Sequence, residues 1–463
     1  MKTLLLSVGR PFFRGALWGA YDFELPLNVA YVASFLSKNF IPVDVVDFQI
    51  YKNPIKKLKS INFNEYRIIG INSDLGSTYS AYQLAKLIKE KYQILIFAFG
   101  VYTVLKEIIF EECNYIDFVI HGEEEHSVLK LVTSIASGHN PESRTILQSE
   151  YETNLDIFPF PSRDKFELKR YFPSPGKYYV LPQFPILSSR GCNWRCFFCS
   201  NLRGKGIRFR SAENIVEEID ELQSKYKARE INFVDDNLTA DRERVLKFIE
   251  LMRKRKNKIY IRACSRIDTV DKEVLKGLKE IGLYSIGYGI ESGVDEILKF
   301  NNKGITTNQI EKTLRLTQEL GLEKRGFFML NLPGDNRLTT EETLKFIKKL
   351  KLDLVNVQIT YPWPGTEMRE FVKNNYKINE TLWNNWEACD GDDVLFLQSD
   401  LTTNYILNTY KKIIREHYLN PKFIFRWLKR LKSFHDLKYS FLQFITLVLR
   451  TIHPVRESYF VDI

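Results

Sequence analysis

From Thr3 onward, short apolar runs alternate with stretches in which apolar residues recur every three or four positions. TLLLSV, VDVVDF, RIIGINS, ILIFAFG and FVIHG have the length and β-branched content of buried strands. LNVAYVASFLSK, SAYQLAKLIKEKY and EEEHSVLKLVTSIA carry the helical period. Strands separated by helices pair in parallel through crossovers, so residues 1–140 predict a doubly wound, Rossmann-like parallel sheet in an α/β protein.

Periodicity lapses over residues 141–185, where Pro159, Pro161, Pro173, Pro175, Pro182 and Pro185 accumulate, and this stretch reads as a linker. A second alternation then begins, with six strand candidates: ILSSR, EINFVDD, IYIRA, YSIGYGIES, GFFMLNLPG and LVNVQIT. Ser211 before ENIVEEIDEL fits a helix N-cap, and Gly282 and Gly321 fit helix stops. Six βα units over residues 186–368 predict a partial (β/α)6 barrel of the TIM type, whose chemistry gathers where the strands end. Residues 369–463 read as a helical, aromatic and basic extension.

The chain of 463 residues carries 67 Lys and Arg against 57 Asp and Glu. The basic residues are dispersed until the C-terminal part, which argues for solubility and against a dedicated nucleic-acid protein. MKTLLLSVGRPFF has too short an apolar run for a signal peptide. The late run Tyr439 to Leu449 falls well below the roughly 20 residues that a membrane span needs. A cytoplasmic location follows as the expectation, and in a reducing compartment clustered cysteines bind metal or do chemistry.

Three of the six cysteines fall within RGCNWRCFFCSN, and the others are Cys113, Cys264 and Cys389. A structural zinc site wants four protein ligands, and nothing near Cys192, Cys196 and Cys199 closes the set. A 4Fe-4S cluster held by three thiolates leaves one iron open to an exogenous ligand. Cys192-x3-Cys196-x-Phe198-Cys199, on a loop after the first strand of a βα array, resembles the cluster motif of the radical S-adenosylmethionine superfamily. The resemblance implies that the open iron chelates S-adenosylmethionine and that an electron from the cluster cleaves the sulfonium to a 5'-deoxyadenosyl radical. It implies an aromatic cover of Trp194, Phe197 and Phe198 over the cluster.

The likeness extends to about residue 368, toward the branch with an N-terminal cobalamin-binding domain. NFVDDNLT offers Asp235 and Asp236 for the amino group of S-adenosylmethionine, although Asp-Asp-Asn after a strand is also ordinary turn and N-cap chemistry. RACSRID and YGIESG offer Arg266 and Glu291 for the methionyl carboxylate or ribose, and LPGD and PWPGTEM resemble later strand-end loops. ELPLNVAYVASFLSKNFIPVDVVDF, INSDLGSTYSAYQLAKLIKE, FGVYT and HGEEEHSVLKL are similar to cobalamin-binding domains, placing a corrin near Ser73, Gly100 and Gly122. Two departures stand out: Phe99-Gly100 replaces a paired glycine, and Gly122-Glu123-Glu124-Glu125 replaces Gly-Glu-Gly-Glu. The Asp-x-His-x-x-Gly motif that places histidine under cobalt is absent, its loop reading VGRPFFRGALWG, so cobalamin is expected without a protein histidine ligand. His121 and His126 read as locally hydrogen-bonded side chains.

In NPKFIFRWLKRLKSF, Ile424, Trp427, Leu428 and Leu431 share one helical face, and Pro421 suits a first turn. Either this amphipathic helix docks on the barrel with a solvated basic face, or it meets anionic lipid headgroups or an acidic substrate. The expected activity is methylation of an unactivated carbon of a small, hydrophobic or lipid-like substrate, with an electron donor such as flavodoxin or ferredoxin. A rearrangement or cyclase-type reaction with the same cofactors is the alternative within enzymes. A non-enzymatic corrinoid- or RNA-binding protein is the alternative outside them, and it leaves an open-iron motif without purpose.

Overall fold

The computed structural model describes residues 2–9, 23–73, 77–139, 141–200, 204, 206–380, 383, 394–431 and 434–452. Cys389 and most of the loop VGRPFFRGALWG lie outside the described residues. The described residues up to Ser174, with Gly204, form one compact unit, and those from Pro175 onward, Gly204 aside, form another.

The first unit is built on β1 (Thr3–Val8), β2 (Val43–Asp47), β3 (Ile68–Ser73), β4 (Leu95–Phe99), β5 (Phe118–His121) and β6 (Thr145–Gln148). Their order is β2-β1-β3-β4-β5-β6 and every pairing is parallel. β1 and β3 are buried along their whole length, as a sheet covered on both faces requires. Strand β6 falls within the stretch expected to be linker. Its four residues are half-buried to exposed, because it is the last strand at one edge, so it carries no buried apolar run for a sequence reading to find.

The second unit contains the six-stranded array in chain order: β7 (Gln183–Ile186), then β10 (Glu230–Phe233), β11 (Tyr260–Ser265), β12 (Leu283–Glu291), β13 (Glu323–Leu330) and β14 (Leu354–Ile359). All five pairings are parallel, and β7 and β14 are the two edges of an open barrel sheet. The first strand starts three residues before the expected position, and an edge tolerates Pro185, which has no N–H to donate. The Ser189–Arg190 part of the expected strand is instead β8, in an antiparallel ladder with β9 (Arg208–Phe209). The cysteine loop is the excursion between them. Ser211 caps the following helix, Ala212–Tyr226, accepting from the Asn214 N–H at 3.1 Å.

After β14 the chain is mostly helical, with helices Thr403–Tyr418, Pro421–Leu428 and Phe434–Ile452, plus a short antiparallel pair of Lys377–Ile378 with Phe396–Leu397. Tyr418 ties the first of these helices to β14, its hydroxyl donating to the Val355 carbonyl at 2.6 Å. Among the described residues no helix is long and apolar enough to cross a membrane.

The return from the cysteine loop is anchored by a buried ion pair. Arg210 bonds the Glu218 carboxylate, donates to Asn214 Oδ1 at 2.7 Å and to the Leu187 carbonyl at 3.1 Å. Glu218 is fully buried, so removing it strands a guanidinium in the interior. Glu218→Ala is expected to destabilise the second unit by about 3–5 kcal/mol, measured as a lower urea midpoint.

Candidate active site at the strand C-terminal ends

Cys192, Cys196 and Cys199 lie between β8 and β9 on a loop that the segment Phe300–Lys303 holds in place. The Phe197 N–H donates to the Asn301 carbonyl at 3.0 Å and Asn302 Nδ2 donates to the Arg195 carbonyl at 2.7 Å. Inside the loop the Cys199 N–H donates to the Cys196 carbonyl at 3.0 Å. Phe197 meets Phe371 and Phe300 edge-on, at 5.5 and 6.4 Å between centroids. Phe198 packs on the cluster of Val294, Ile297 and Leu332. Both phenylalanines also pack against the cluster of Met368, Val372 and Phe396, so together they fasten the loop to the unit.

Cys192 and Cys196 are half-buried and Cys199 is exposed. Burial pushes the Cys192 thiol up, and the Trp194 N–H works against that shift. Arg266 brings Nη1 to 3.8 Å from Cys196 Sγ while its guanidinium lies over the Trp194 ring at 4.6 Å. Among the described residues no three His, Cys, Asp or Glu side chains converge on one ion position. A cubic cluster takes one thiolate per iron and spreads its ligands more widely than a single ion does, so three cysteines on one loop with aromatic cover suit it.

The other expected residues divide by environment. Asp235 is buried and its carboxylate accepts from the Ser188 N–H at 3.0 Å, the Ser188 hydroxyl at 2.8 Å and the Ser189 hydroxyl at 2.5 Å. It ties the end of β10 to the chain entering the cysteine loop. Asp236 is exposed, and its charge acts on Cys192. Arg266 forks onto Asp268 at 2.8 and 2.9 Å and donates to the Lys303 carbonyl at 2.7 Å. Glu291 ends β12 in a left-handed conformation, φ +69°, at a register shift opposite β13. A bulge of this kind re-aims a side chain, and here the carboxylate pairs with Lys303 Nζ at 2.8 Å. Lys303 Nζ in turn lies 5.9 Å from the centre of the Phe198 ring.

The motif NFVDDNLT contains a site residue that the sequence reading missed, Asn237. Its Oδ1 accepts from the Arg266 N–H at 3.1 Å and from the Thr269 hydroxyl at 3.0 Å. Its Nδ2 is buried without a partner, as are Ser265 Oγ at the end of β11 and Thr360 Oγ1 just past β14. Three unsatisfied polar atoms at the ends of three strands suit a polar ligand across this edge. Lys303 was missed as well; in FNNKG nothing marks it, and only the fold sets it beside Glu291 and Phe198. The later loops are structural: Asp335 of LPGD accepts from the Leu332 N–H and the Thr339 hydroxyl, both at 2.9 Å, and Met368 of PWPGTEM is fully buried.

In the first unit, Ser73, Gly100 and Gly122 sit where β3, β4 and β5 end. Gly100 has φ +103°, and a Cβ there would lie 2.1 Å from Asn72 Oδ1. Gly122 has φ +90°, and a Cβ there would lie 2.6 Å from the Ser149 carbonyl oxygen. The backbone by itself demands glycine at both positions. The strand order reverses between β1 and β3, the switch point of a doubly wound sheet. The edge there is polar: Asn72 donates to Ser7 Oγ at 3.4 Å and Asp47 accepts from Tyr171 at 2.8 Å. Ser77 Oγ, just after β3, is buried with no partner and suits a ligand's polar group. His121 Nδ1 lies 3.1 Å from the Thr103 carbonyl, a local hydrogen bond, while His126 stands edge-on to Phe35 at 5.1 Å with Nε2 3.6 Å from the Glu152 carboxylate.

Two measurements separate structural from exposed carboxylates. Asp235→Ala strands three donors and should cost about 3 kcal/mol or more in urea stability, whereas Asp236→Ala should shift it by less than about 0.5 kcal/mol. Burial pushes the Asp47 carboxyl up to about 6, against donation from Gln49 and Tyr171. A folded value above the unfolded one, about 3.9, means that the contribution is complete below about pH 4 and lost as pH rises through about 6. The stability difference between wild type and Asp47→Asn should follow that course. Tyr171→Phe removes a donor to the ionised form and should move the loss to higher pH.

A family model described as the radical SAM superfamily matches residues 186–347. The chain is 30% identical over 426 residues to an uncharacterized methyltransferase of Pyrococcus horikoshii, across 87% of this chain and 89% of that protein. It is 24% identical over 364 residues to the anaerobic magnesium-protoporphyrin IX monomethyl ester cyclase of Rubrivivax gelatinosus, across 74% of this chain and 65% of that one. Its fold is similar to the solved cobalamin-dependent S-adenosylmethionine radical enzyme OxsB with aqua-cobalamin and S-adenosylmethionine bound. The TM-score is 0.70 at 16% identity, covering 97% of this chain and 71% of that one. The chain belongs to the radical S-adenosylmethionine superfamily, in the branch whose barrel follows an N-terminal cobalamin-binding domain.

Proposed function

We propose that this chain is a cobalamin-dependent radical S-adenosylmethionine enzyme that methylates an unactivated carbon. As a member of the superfamily it acts on a small molecule and draws on an external electron donor, for which flavodoxin or ferredoxin is the proposed source. The observation that carries the reading is the set of three cysteines on a loop at the strand C-terminal ends, the same end of the sheet that carries the unsatisfied Asn237, Ser265 and Thr360. When bound, a 4Fe-4S cluster supplies the electron that cleaves S-adenosylmethionine and cobalamin supplies the methyl group to be transferred.

The residues present assign themselves to simple roles. Cys192, Cys196 and Cys199 would hold three irons and leave the fourth to the methionyl group. Asp236, exposed near Cys192, would meet the amino group, while Asn237 Nδ2 and Ser265 Oγ would donate to the carboxylate. Arg266 offsets thiolate charge, and the Glu291–Lys303 pair presents opposite charges beside Phe198 to the ribose or the methionyl group. Trp194, Phe197 and Phe198 exclude water, which sets the potential of such a site. Ser73, Gly100 and Gly122 would face a bound corrin.

Similarity to the cyclase gives a second reading, oxidative ring formation with the same cofactors and no net methyl transfer. A lipid-like substrate and peripheral membrane contact are supported by the exposed Phe425, Phe434 and Phe441, with Lys429 lying 4.3 Å over the Phe425 ring.

Anaerobic reconstitution tests the reading. Wild type should gain iron and sulfide, and the variant with all three cysteines changed to alanine should gain neither. With a deuteromethyl donor, substrate extract and reductant, wild type should give 5'-deoxyadenosine, S-adenosylhomocysteine and a labelled product. Deoxyadenosine alone would move the assignment to the cyclase-type reaction, and equal iron in both proteins would end it.

A further inference from the structure

The aromatic, basic C-terminal segment takes no part in the site described above, yet it closes a second one. A cavity of about 550 Å³ lies inside the second unit, within the range of small-molecule pockets. One wall is the barrel sheet near the starts of its strands: Arg262 is the third residue of β11, Arg325 the third of β13 and Asn356 the third of β14. The cysteine loop leaves the opposite, C-terminal ends. The other wall is apolar and includes Ile424, Trp427, Leu428 and Leu431, the face read from the helical spacing, with Phe441 and Phe444 from the last helix.

Two cations are buried in this apolar chamber. Arg262 and Arg325 are 7% and 6% exposed. Arg262 donates from Nη1 to the Lys177 carbonyl at 3.1 Å, and Arg325 from Nη2 to the Ala263 carbonyl at 2.6 Å. The Nε of each is buried without a partner. Arg325 and its register partner Gly287 share one face of the sheet, because a Cβ on Gly287 would lie 3.2 Å from the Arg325 Cζ. The carboxylates of this wall are engaged elsewhere: Glu323 with Arg430 and, at 2.8 Å, the Ser285 hydroxyl, and Glu230 with the Tyr284 hydroxyl and Gln183 Nε2, both at 2.7 Å. Burial and the neighbouring Arg262 push the Arg325 guanidinium below its ordinary value, with the Cys264 sulfur and the more distant Glu323 carboxylate opposing.

A buried charge without a direct ion-pair partner is costly, and a guanidinium with donors to spare fits a carboxylate or phosphate. The rim adds a second constraint on the ligand. Leu428, Leu437, Phe441 and Phe444 line the cavity and are also exposed, giving an apolar entrance suited to a hydrocarbon chain. We propose that this chamber binds an anionic amphiphile, one carboxylate or phosphate on an acyl or prenyl chain, headgroup on Arg262 and Arg325 and chain along Ile424, Trp427 and Leu428. The proposal rests on the second unit alone and not on the reaction assigned to the cysteine loop.

The test is a fluorescence titration of the full chain, stripped of lipid, with cis-parinaric acid. Saturable binding is expected, displaced by dodecanoate or dodecyl phosphate, the tighter of the two identifying the headgroup, and at least about tenfold more weakly by dodecanol. Arg262→Gln should weaken binding about tenfold to a hundredfold. Asn356→Trp, at an exposed strand position that lines the cavity, should block it while thermal unfolding stays at the wild-type temperature. If Arg262→Gln does not fold, Asn356→Trp and the alcohol comparison decide. Absence of saturable binding, equal displacement by dodecanol, or binding that survives Asn356→Trp would overturn the proposal.

Discussion

The buried carboxylate of Asp235 is the joint on which the cysteine loop depends. It receives the Ser188 N–H and the hydroxyls of Ser188 and Ser189, so the end of one strand holds the chain that leaves its neighbour. Arg244 backs the same serine from the far side, Nη1 donating to the Ser188 hydroxyl at 3.0 Å and to its carbonyl at 3.2 Å. Three thiolates on an unanchored loop would have to be ordered when a cluster binds; here the backbone before the first cysteine is already fixed by charge-assisted bonds in a dry environment.

Around this joint the unit concentrates its unusual features at one edge. Glu291 and Asn331, where β12 and β13 end, both take positive φ, at +69° and +63°. Asn237, Ser265 and Thr360 keep buried polar atoms unsatisfied on the same edge. Strain and unmet hydrogen bonds lower stability and persist where the surrounding packing over-determines them. The N-terminal halves of the strands carry a different chemistry, with Arg262 and Arg325 facing an apolar wall. The barrel sheet thus holds polar groups at both ends, serving the cysteine loop at one and the C-terminal helices at the other.

The alternation of apolar strands and periodic helices was enough to place both parallel sheets, because strands buried on both faces must be apolar throughout and their crossovers must be helical. Five of the six barrel strands follow from it, the first being met only at Ile186, and the cysteine motif is legible too, because its chemistry is local: three sulfurs and an aromatic residue within eight positions. The helical face of Ile424, Trp427, Leu428 and Leu431 was equally legible as an amphipathic stripe, although its partner was not.

What the tertiary structure alone decided are the pairings between distant residues. β6 escaped notice because an edge strand buries little, and the bulge at Glu291 because register is a property of two strands together. Asp235 and Asp236 are adjacent and chemically identical, yet the chain leaving β10 sends one into the Ser188–Ser189 clamp and leaves the other exposed. Lys303 meets Glu291, and Arg262 shares a cavity with Trp427, only after separations of 12 and 165 residues are closed by the fold. Local pattern reports which residue types a segment contains and which face they occupy; the burial and counter-charge that give each its chemistry come from the other segments packed against it.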